Sequence, residues 1–534
     1  MRLQFREALD EWLPLGTALT LLLLSVAVTY HLCLMRTAGT FVYPLDDSYI
    51  HLSIARQLAD SGVWGVTSLQ FSSASSSVFW PIIIAAIFRI IGVHTLVPLY
   101  LTLISAVLLL YLSDRCLLRV GHIRGISRFF LLVVMFFFVP LLPNSFSGME
   151  HLAHACASLL YCWLVADELT DATKYGVLRC ALAAMLVTGL RYEGMALVGI
   201  GSLFFFFDRR WLAAASQLLS GAAPIIIFGL YAVHHGAYFL PNSVLIKSNG
   251  LNIGASLYQA YISATEAPTL SLLMVAGLLI YSMLGFARKR TRATILLAMF
   301  MAASSLQLLG GQVGWYFRYE AYLNALGIVS IAIGCSELRT LAWWPKDAAR
   351  VTWGKVLWVA PVLPMVLIVF HWAAFKSRQA LISVPRVSEE RYLEHVQPAR
   401  FVRTYYPDSV IAVNDIGAMC YMTNARIIDI FGLGSIEPVK FRRKKEYTAD
   451  KLRAWIATEG AEIAILQVQW PEVSSRLPKE WIEVAEWQIP SNLIFKDAKI
   501  GVFALQPADV PKLVSSLRQF QATAPDKLKL TFMK

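Results

Sequence analysis

Residues 14–50 read PLGTALTLLLLSVAVTYHLCLMRTAGTFVYPLDDSYI, a long apolar run that is followed closely by two adjacent aspartates. The run 14–35 contains no Asp, Glu, Lys or Arg. As a helix it would be about 33 Å long, which is enough to cross the hydrocarbon core of a bilayer. It is too long for the apolar core of a signal peptide, and no small-residue cleavage motif follows before Tyr43-Pro44. The stretch therefore predicts an uncleaved first membrane-spanning helix.

The composition of the whole chain agrees with a membrane protein. Of the 534 residues, 57% are hydrophobic and only 15% are charged, whereas soluble domains carry about a quarter charged residues. The mean hydropathy is +0.57. The net charge of +12 comes from short basic clusters between apolar runs. Such clusters are typical of topology signals, so we expect no nucleic-acid partner.

Apolar runs and loop charge together predict about eleven membrane-spanning helices. Residues 78–91 are apolar but short and contain Arg89, which favours an interfacial or re-entrant helix. With the N-terminus in the cytoplasm, the inner segments collect 18 Lys or Arg, and the outer loops before Lys376 collect six. The predicted spans are 14–35, 95–112, 129–143, 151–166, 178–190, a sixth that ends at Asp208, 213–234, 268–286, 293–310, 321–337 and 354–375.

The composition changes after Lys376, where the charge rule places the chain outside the cytoplasm. Ser388–Tyr405 has helical periodicity, and several short apolar segments are typical of buried strands. Those segments are Val410–Val413, Arg426–Ile430, Ile463–Val468 and Gly501–Leu505. We therefore predict an α-helical polytopic module at 1–376 and an extracytoplasmic α/β domain at 377–534. The basic tail 524–534 is expected to fray.

The polar residues near the span ends fall almost entirely on the predicted outer side. Ionisable groups at membrane depth are costly and are usually functional when they face a shared cavity. We therefore expect the outer loops to build one pocket at the bilayer surface. Its candidate residues are Asp46, Asp47, Glu150, Arg191, Glu193, Asn242, Lys247, Arg318, Tyr319 and Glu320.

Each candidate also has a purely structural interpretation, because helix caps and interfacial side chains use the same residue types. These interpretations are an N-cap by Asp46-Asp47 on a helix Ser48–Asp60, a cap by Glu150, a pair of Arg191 with Glu193 alone, interfacial snorkelling of Lys247, and an aromatic belt at Arg318-Tyr319-Glu320.

The segment Tyr43–Ile50, followed by an amphipathic helix, resembles the first-loop acidic signature of GT-C fold glycosyltransferases. These multispan enzymes take a sugar from a polyprenyl-phosphate carrier. Further stretches are similar to the branch that includes the lipid-linked arabinofuranosyltransferases of the actinobacterial cell wall and their bacterial relatives. They are Ser147–Glu150, Thr188–Gly194, Leu240–Ser243 with Lys247, and Asp415–Ala418 with Asp429–Leu433. The resemblance spans roughly 40–435. The family often has Pro where Tyr192 stands and Thr where Ser243 stands, and neither difference removes a charge.

The resemblance implies a membrane glycosyltransferase, a hexosyl- or pentosyltransferase, that acts at the outer face of the cytoplasmic (inner) membrane. The donor would be a polyprenyl-phosphate sugar in the bilayer, and the acceptor a glycan or lipid of the cell envelope, cell wall or lipopolysaccharide. Asp46 is favoured as general base with Asp47 beside it, and Lys247, Arg191 and Arg318 as partners of the donor phosphate. Glu150, Glu193, Asn242, Tyr319 and Glu320 would bind substrate. If a divalent metal ion takes part, Asp47 and Glu150 are its ligand candidates.

A transporter or flippase of lipid-linked saccharides is the alternative function, since it would also use many spans and charged outer residues. It should show matching interrupted helices in two halves of the chain, and the sequence shows no such internal symmetry. An assembly factor that works through the α/β domain would leave the Asp46-Asp47 pair unexplained. The sequence names neither the sugar nor the acceptor.

Overall fold

A computed structural model of the protein describes residues 2–247, 253–285, 290–341, 362–489 and 499–533. Helices dominate it, and a π-helical turn at Tyr392–Val396 joins two of them. The longer helices are Arg2–Arg36, Asp47–Asp60, Phe79–Ile91, Val97–Arg119, Gly125–Phe138, His151–Thr170, Gly176–Leu190, Gly194–Phe207, Trp211–His234, Ile253–Glu266, Pro268–Gly285, Arg292–Gly310, Ala321–Leu338, Val362–Arg391, Gln397–Tyr405, Ala449–Glu459 and Val510–Gln521. The shorter ones are Leu141–Phe146, Asn242–Lys247, Gly417–Met422, Glu437–Arg443, Pro471–Ser474 and a 3-10 turn at Pro507–Asp509.

Seven helices of the described residues are long and apolar enough to cross a membrane, and each coincides with a predicted span. Three other predicted spans are apolar helices of only 14 or 15 residues, namely Gly125–Phe138, Gly176–Leu190 and Gly194–Phe207. Fifteen residues of helix measure about 22 Å, less than a typical hydrocarbon core. The expected span 354–375 begins outside the described residues, which resume as a helix at Val362.

The apolar segment 78–91, for which the sequence predicts an interfacial or re-entrant helix, forms a helix of 13 residues, Phe79–Ile91. At about 20 Å it is too short to cross a bilayer without distortion. Its helical state is as predicted, and its depth in the membrane stays a prediction.

The chain forms two compact units that are each built from three segments. The first contains Met1–Val28, Leu99–Ile226 and Gly250–Ile382. The second contains Thr29–Pro98, Ile227–Asn249 and Ser383–Lys534, so the segment after the first span belongs to the same unit as the C-terminal sheet. The predicted boundary at 376/377 stays a prediction.

Close helix packing forms the core of the first unit. Helix Ala321–Leu338 has 78% of its apolar window buried, more than any other candidate span among the described residues. A Cβ atom on its Gly327 would stand 2.7 Å from the ring of Phe300, on helix Arg292–Gly310. Glycine at this position therefore allows the two helices to approach closely, as small residues do at helix interfaces in membranes.

The charged residues that the positive-inside rule assigns to the cytoplasm pair with one another in the first unit. Arg292 contacts Asp167 at 2.6 Å and Asp171 at 2.5 Å. Arg290 contacts Asp208 at 2.6 Å. The helices that these loops join carry the predicted outer residues at their opposite ends. The predicted inner residues thus lie together at one end of these helices, and the predicted outer residues lie at the other end. This agrees with loops that alternate between the two sides of the membrane. Which end faces the cytoplasm stays a prediction.

Cysteine labelling of intact cells tests that orientation. Cys335 is the exposed native cysteine and the other six are buried, so a Cys335→Ser parent gives a low background. We expect a membrane-impermeant maleimide to label Lys444→Cys, an exposed position, in intact cells. Exposed Lys174→Cys should react only after lysis. The opposite labelling pattern would contradict the orientation.

The C-terminal part of the second unit contains a six-stranded mixed sheet with the order β2-β1-β3-β5-β4-β6. β1 pairs in parallel with both β2 and β3, and the pairs β3·β5, β4·β5 and β4·β6 are antiparallel. The strand bounds are β1 Val410–Val413, β2 Arg426–Asp429, β3 Ile463–Gln467, β4 Ile482–Gln488, β5 Lys499–Ala504 and β6 Lys529–Phe532. The predicted α/β fold of this region is confirmed.

Four strands were predicted and two were missed. β1, β2, β3 and β5 are short and mostly buried, so continuous apolar runs identify them. In β4, Glu483 and Glu486 interrupt the apolar residues, and the pairing has a register irregularity near Glu483. The alternation of apolar and polar residues that identifies a strand is therefore not visible in the sequence. The tail 524–534 was expected to fray, and this was wrong, because β6 pairs with β4 and Leu530 is 8% exposed.

Candidate functional site

The first unit holds a buried ion-pair cluster at the helix ends predicted to face outward. Glu150 precedes helix His151–Thr170, and Arg191 follows helix Gly176–Leu190. Arg191 Nη1 donates to Glu150 Oε1 at 2.6 Å, and Arg191 Nη2 donates to Glu193 Oε1 at 2.7 Å. The Glu150 side chain is fully buried, and that of Glu193 is 40% exposed. Two carboxylates therefore share one guanidinium.

Aromatic and imidazole groups complete this cluster. Arg191 Nη1 also donates to His151 Nε2 at 2.9 Å. Because a guanidinium has only donors, this contact identifies Nε2 of the neutral ring as the acceptor. Tyr319 lies edge-on to His151 with 5.7 Å between ring centroids. The guanidinium carbons of Arg191 and Arg318 are 5.5 and 5.0 Å from the centroid of the Tyr319 ring.

Glu320 lies at the start of helix Ala321–Leu338 and is 6% exposed. Its Oε2 accepts from the backbone N–H of Gly314 at 3.0 Å. Burial raises the pKa of Glu320 to about 7, although the Gly314 contact opposes the shift. This carboxyl group therefore changes charge near neutral pH.

Two of the structural interpretations are wrong for this unit. Glu150 occupies an N-cap position, but its side chain makes no capping hydrogen bond. Arg191 does not pair with Glu193 alone, because Glu150 is its buried partner. The predicted roles of Glu150, Arg191, Glu193, Arg318, Tyr319 and Glu320 in substrate or phosphate binding stay predictions.

Removing the Arg191 charge tests how much this cluster contributes to stability. We expect Arg191→Met to lower the free energy of unfolding by about 3–5 kcal/mol, since it leaves the buried Glu150 carboxylate uncompensated. Glu193→Gln is the control, and it should cost about 1 kcal/mol or less because that carboxylate is partly exposed. Thermal unfolding in detergent measures both. An unchanged midpoint for Arg191→Met would show that the pair does not stabilise the fold.

The second unit places Asp46 against the first turn of helix Gly417–Met422. Asp46 Oδ2 accepts from the backbone N–H of Gly417 at 2.6 Å, and Oδ1 accepts from that of Ala418 at 2.8 Å. The side chain is 8% exposed. These two hydrogen bonds hold the carboxylate group in place.

These contacts correct the N-cap interpretation of the acidic pair. Asp46 is the residue before helix Asp47–Asp60, but its side chain makes no capping hydrogen bond to that helix. It contacts instead a helix that lies about 370 residues later in the chain, with a sequence separation of 371 to Gly417. Two motifs that were matched separately, Tyr43–Ile50 and Asp415–Ala418, therefore meet at one point.

Asp415 and His395 lie beside Asp46. The His395 Nδ1 atom is 3.6 Å from Asp46 Oδ1 and 3.7 Å from Asp415 Oδ2. Burial and the Asp46 charge raise the pKa of Asp415 well above its usual range, while Arg391 opposes the shift. Asp415 is therefore harder to ionise than an isolated carboxylic acid. We name Asp46, His395 and Asp415 the carboxylate–histidine cluster.

The carboxylate–histidine cluster is also a candidate metal site. Among the described residues, it is the group of His, Cys, Asp or Glu side chains whose ligand atoms lie close enough to share one ion, all within 4.8 Å of one another. Arg391 Nη1 lies 2.8 Å from His395 Nε2. A guanidinium only donates, so Nε2 accepts and Nδ1 carries the proton. A protonated Nδ1 cannot ligate a metal, and as placed the three residues do not fit one. Asp47 and Glu150, the predicted metal ligands, lie outside the cluster, and their assignment stays a prediction.

Asn242 connects a third motif to this region. Its backbone N–H donates to the carbonyl of Ser73 at 3.1 Å, and its Nδ2 donates to the carbonyl of Leu433 at 3.3 Å. Leu433 belongs to the loop that Asp429 organises, through backbone N–H groups such as those of Gly432 at 3.0 Å and Gly434 at 2.6 Å. Burial raises the pKa of Asp429 to about 6, against these hydrogen bonds.

Lys247 is the last residue of helix Asn242–Lys247, and its side chain lies outside what the structure describes. Its contact with the donor phosphate stays a prediction. The predicted substrate contact of Asn242 also stays a prediction. The structure gives Asn242 a structural role as well, because its buried side chain binds the Asp429 loop. The sequence analysis did not predict this role.

Sequence reasoning missed His395 and Arg391, and it quoted Asp415 only as part of a motif. A usable signal was present. His395 and Arg391 are one helical turn apart in a segment of helical periodicity, and both are at most 6% exposed. Charged groups on the buried face of a helix are unusual unless they are paired or functional.

Comparisons with known proteins give one domain-level match and two whole-chain structural matches. Residues 385–506 match a family model described as a domain of unknown function (DUF8728). No curated protein matches the sequence.

The fold is similar to that of ArnT from Cupriavidus metallidurans. The crystal structure of ArnT bound to undecaprenyl phosphate matches with a TM-score of 0.52 and 12% identity, over 91% of this chain and 98% of ArnT. The apo structure matches with a TM-score of 0.50 and 12% identity, over 92% of this chain and 99% of ArnT. The predicted GT-C-type fold with a C-terminal α/β domain is confirmed. The protein is a multi-pass membrane protein.

Proposed function

We propose that the protein is a membrane glycosyltransferase that takes its sugar from a polyprenyl-phosphate carrier. The observation that carries the proposal is the fixed carboxylate of Asp46 beside Asp415 and His395. It is supported by a GT-C-type fold shared with a protein whose crystal structure contains undecaprenyl phosphate. The acceptor would be a hydroxyl group of a cell-envelope glycan or lipid.

In the proposed reaction Asp46 is the general base. The acceptor oxygen forms a bond to the anomeric carbon of the sugar while the bond from that carbon to the phosphate oxygen breaks. The hydroxyl proton passes to Asp46, and polyprenyl phosphate leaves with the bonding electrons. His395, whose Nδ1 lies 3.6 Å from Asp46 and 3.7 Å from Asp415, is proposed to help position the two carboxyl groups. Asp46 is proposed as the base because two backbone N–H groups hold its carboxylate in place. Asp415 is proposed to keep its proton during the reaction, because burial and the neighbouring carboxylate raise its pKa.

Cationic residues would stabilise the departing phosphate. We propose Lys247 and Arg318 for this role. Arg191 was proposed with them, but it already pairs with Glu150 and Glu193. These two carboxylates offset its charge, so Arg191 is proposed to contribute little to phosphate binding. Its proposed contribution is to orient the outer loops and the substrate-binding candidates Tyr319 and Glu320.

We place the reaction at the extracytoplasmic face of the cytoplasmic membrane, on the basis of the loop charges. The five motifs favour the branch that includes the lipid-linked arabinofuranosyltransferases, so a polyprenyl-phosphate pentose is the first donor to test, and hexose donors follow. Cell wall and lipopolysaccharide are the proposed acceptor classes.

The test uses the full chain in nanodiscs with radiolabelled polyprenyl-phosphate pentoses and hexoses and envelope extracts as acceptors. We expect the release of polyprenyl phosphate together with a labelled, extractable glycan product. Lys247→Ala should raise the donor KM by at least about tenfold. The donor phosphate, the proposed partner of Lys247, is already charged in the bound substrate, so the contact contributes to binding as well as to the transition state. Lys444→Ala, a change of the same kind at an exposed position, should not raise the donor KM.

A different outcome would favour the transporter alternative. If no polyprenyl-phosphate sugar supports turnover, and the reconstituted protein moves lipid-linked saccharides between leaflets, the glycosyltransferase proposal is wrong.

A further inference from the structure

The second unit contains a large cleft that none of the assignments above uses. Its volume is about 840 Å³, within the range of small-ligand sites. Three arginines line it, Arg56 from helix Asp47–Asp60 and Arg400 and Arg403 from helix Gln397–Tyr405. Asp60 is the acidic residue in the lining, so the cleft carries a net positive charge. We call it the arginine cleft.

The three arginines differ in how firmly they are held. Arg56 donates to the carbonyl of Tyr421 at 3.0 Å and to Asn424 Oδ1 at 3.1 Å, so it forms part of the wall. Arg400 makes a long contact of 3.5 Å with the carbonyl of Thr523. Within the described part of the chain, no hydrogen bond or ion pair is found for Arg403, which is exposed. Arg400 and Arg403 are therefore available to an anion.

The lining also contains groups suited to a sugar. Tyr392 and Tyr421 add aromatic side chains to the lining, although Tyr421 is only 9% exposed. Gln397 is 1% exposed, and its Oε1 has no hydrogen-bond partner among the described residues. A buried amide oxygen without a partner is costly, and a hydroxyl donor in the cleft would satisfy it.

The cleft is built on the same two segments as the carboxylate–histidine cluster. Arg56 lies ten residues after Asp46, which is about 15 Å along a helix. Gln397 follows His395 by two residues. The cleft and the carboxylate–histidine cluster therefore share two segments of the chain.

From this charge, volume and lining we propose that the arginine cleft binds the acceptor, and that the acceptor is an anionic saccharide. Arg400 and Arg403 would bind its phosphate or carboxylate group, a pairing for which the guanidinium fork is well suited. Gln397 and the tyrosines would contact its sugar ring. This inference rests on the proposed function and adds the acceptor's chemical class to it.

Direct binding tests the cleft without turnover. The full chain in zwitterionic nanodiscs is titrated calorimetrically with glucose 1-phosphate, free glucose, inorganic phosphate and glycerol 1-phosphate. We expect glucose 1-phosphate to bind at least about tenfold more tightly than the other three. The double variant Arg400→Gln/Arg403→Gln should weaken it by about 10–100-fold. Arg453→Gln is the control, because Arg453 pairs with Glu480 at 2.9 Å at the surface, away from the cleft.

The arms separate the competing explanations. Equal binding of inorganic phosphate would leave a simple anion site, and equal binding of glycerol 1-phosphate would indicate a phospholipid headgroup. Either result overturns the saccharide assignment. If sugar transfer occurs but the double variant leaves the acceptor KM unchanged, the cleft is not the acceptor site and the glycosyltransferase proposal stands. If glucose 1-phosphate binding depends on Arg400 and Arg403 while no donor is turned over, the anionic saccharide site stands and the glycosyltransferase proposal fails.

Discussion

Replacing Asp46 with Asn is expected to lower sugar transfer by about 10²–10⁴-fold, the range that general-base catalysis contributes. Asn has nearly the same size as Asp but cannot accept the proton of an acceptor hydroxyl. Donor binding should change little, because no donor contact is assigned to Asp46. A reconstituted assay with saturating polyprenyl-phosphate sugar measures the loss in kcat.

The structure adds a second effect to this substitution. Asp46 accepts from two backbone N–H groups, whereas the Asn side chain has one acceptor oxygen. One buried donor would lose its partner, at about 1–3 kcal/mol. Thermal unfolding must therefore be measured in parallel, and kcat compared below the unfolding temperature.

Asp415→Asn is the matched control, since it changes a neighbouring carboxyl group in the same cluster. Asp415 has a raised pKa, so an amide resembles its protonated state. We expect this variant to keep its activity within about tenfold, less than the effect of losing a general base. If both variants lose activity equally, the carboxylates act as a unit. If Asp46→Asn transfers sugar at nearly the wild-type rate, Asp46 only holds the helix that begins at Gly417, and Asp47 becomes the candidate base.

The sequence predicted the membrane-embedded architecture well, because the physics of a bilayer acts on local composition. A span such as Trp211–His234 must bury its apolar side chains in lipid or protein whatever its neighbours are. Strands such as β3 were identified for the same reason, as continuous apolar runs. β4 was not, because its two glutamates break the run and only pairing with β5 makes it a strand.

The candidate site was only partly predictable. The acidic pair stood out because two adjacent carboxylates near a span are costly unless they have a use. Its partners did not, because the contact from Asp46 to Gly417 closes a separation of 371 residues. The periodicity of apolar residues reports local structure and gives no information about a contact between such distant residues. Arg191 is a similar case. Its pairing with Glu193, two residues away, was an alternative that the sequence suggested, and the structure contains it. The buried partner Glu150, 41 residues away, was not suggested as its partner.

Gly417 is where this long-range contact can be tested with one methyl group. A Cβ atom there would stand 2.5 Å from Asp46 Oδ2, and it would overlap the carbonyl oxygen of the same residue. That carbonyl is backbone, so it cannot rotate away as a flexible side chain would. Gly417→Ala must therefore displace either the acidic segment or the helix start that binds it.

We expect Gly417→Ala to lower kcat by about 10²-fold, because a shift of about 1 Å at a catalytic group costs this much. Overpacking should also lower the free energy of unfolding by about 1–3 kcal/mol. Donor KM should change little. Gly199→Ala is the control, since nothing lies within 4 Å of its Cβ position in helix Gly194–Phe207, and Ala there should be neutral or slightly stabilising. Wild-type kcat for Gly417→Ala would show that the helix start does not position Asp46, and that the base acts independently of the C-terminal sheet domain.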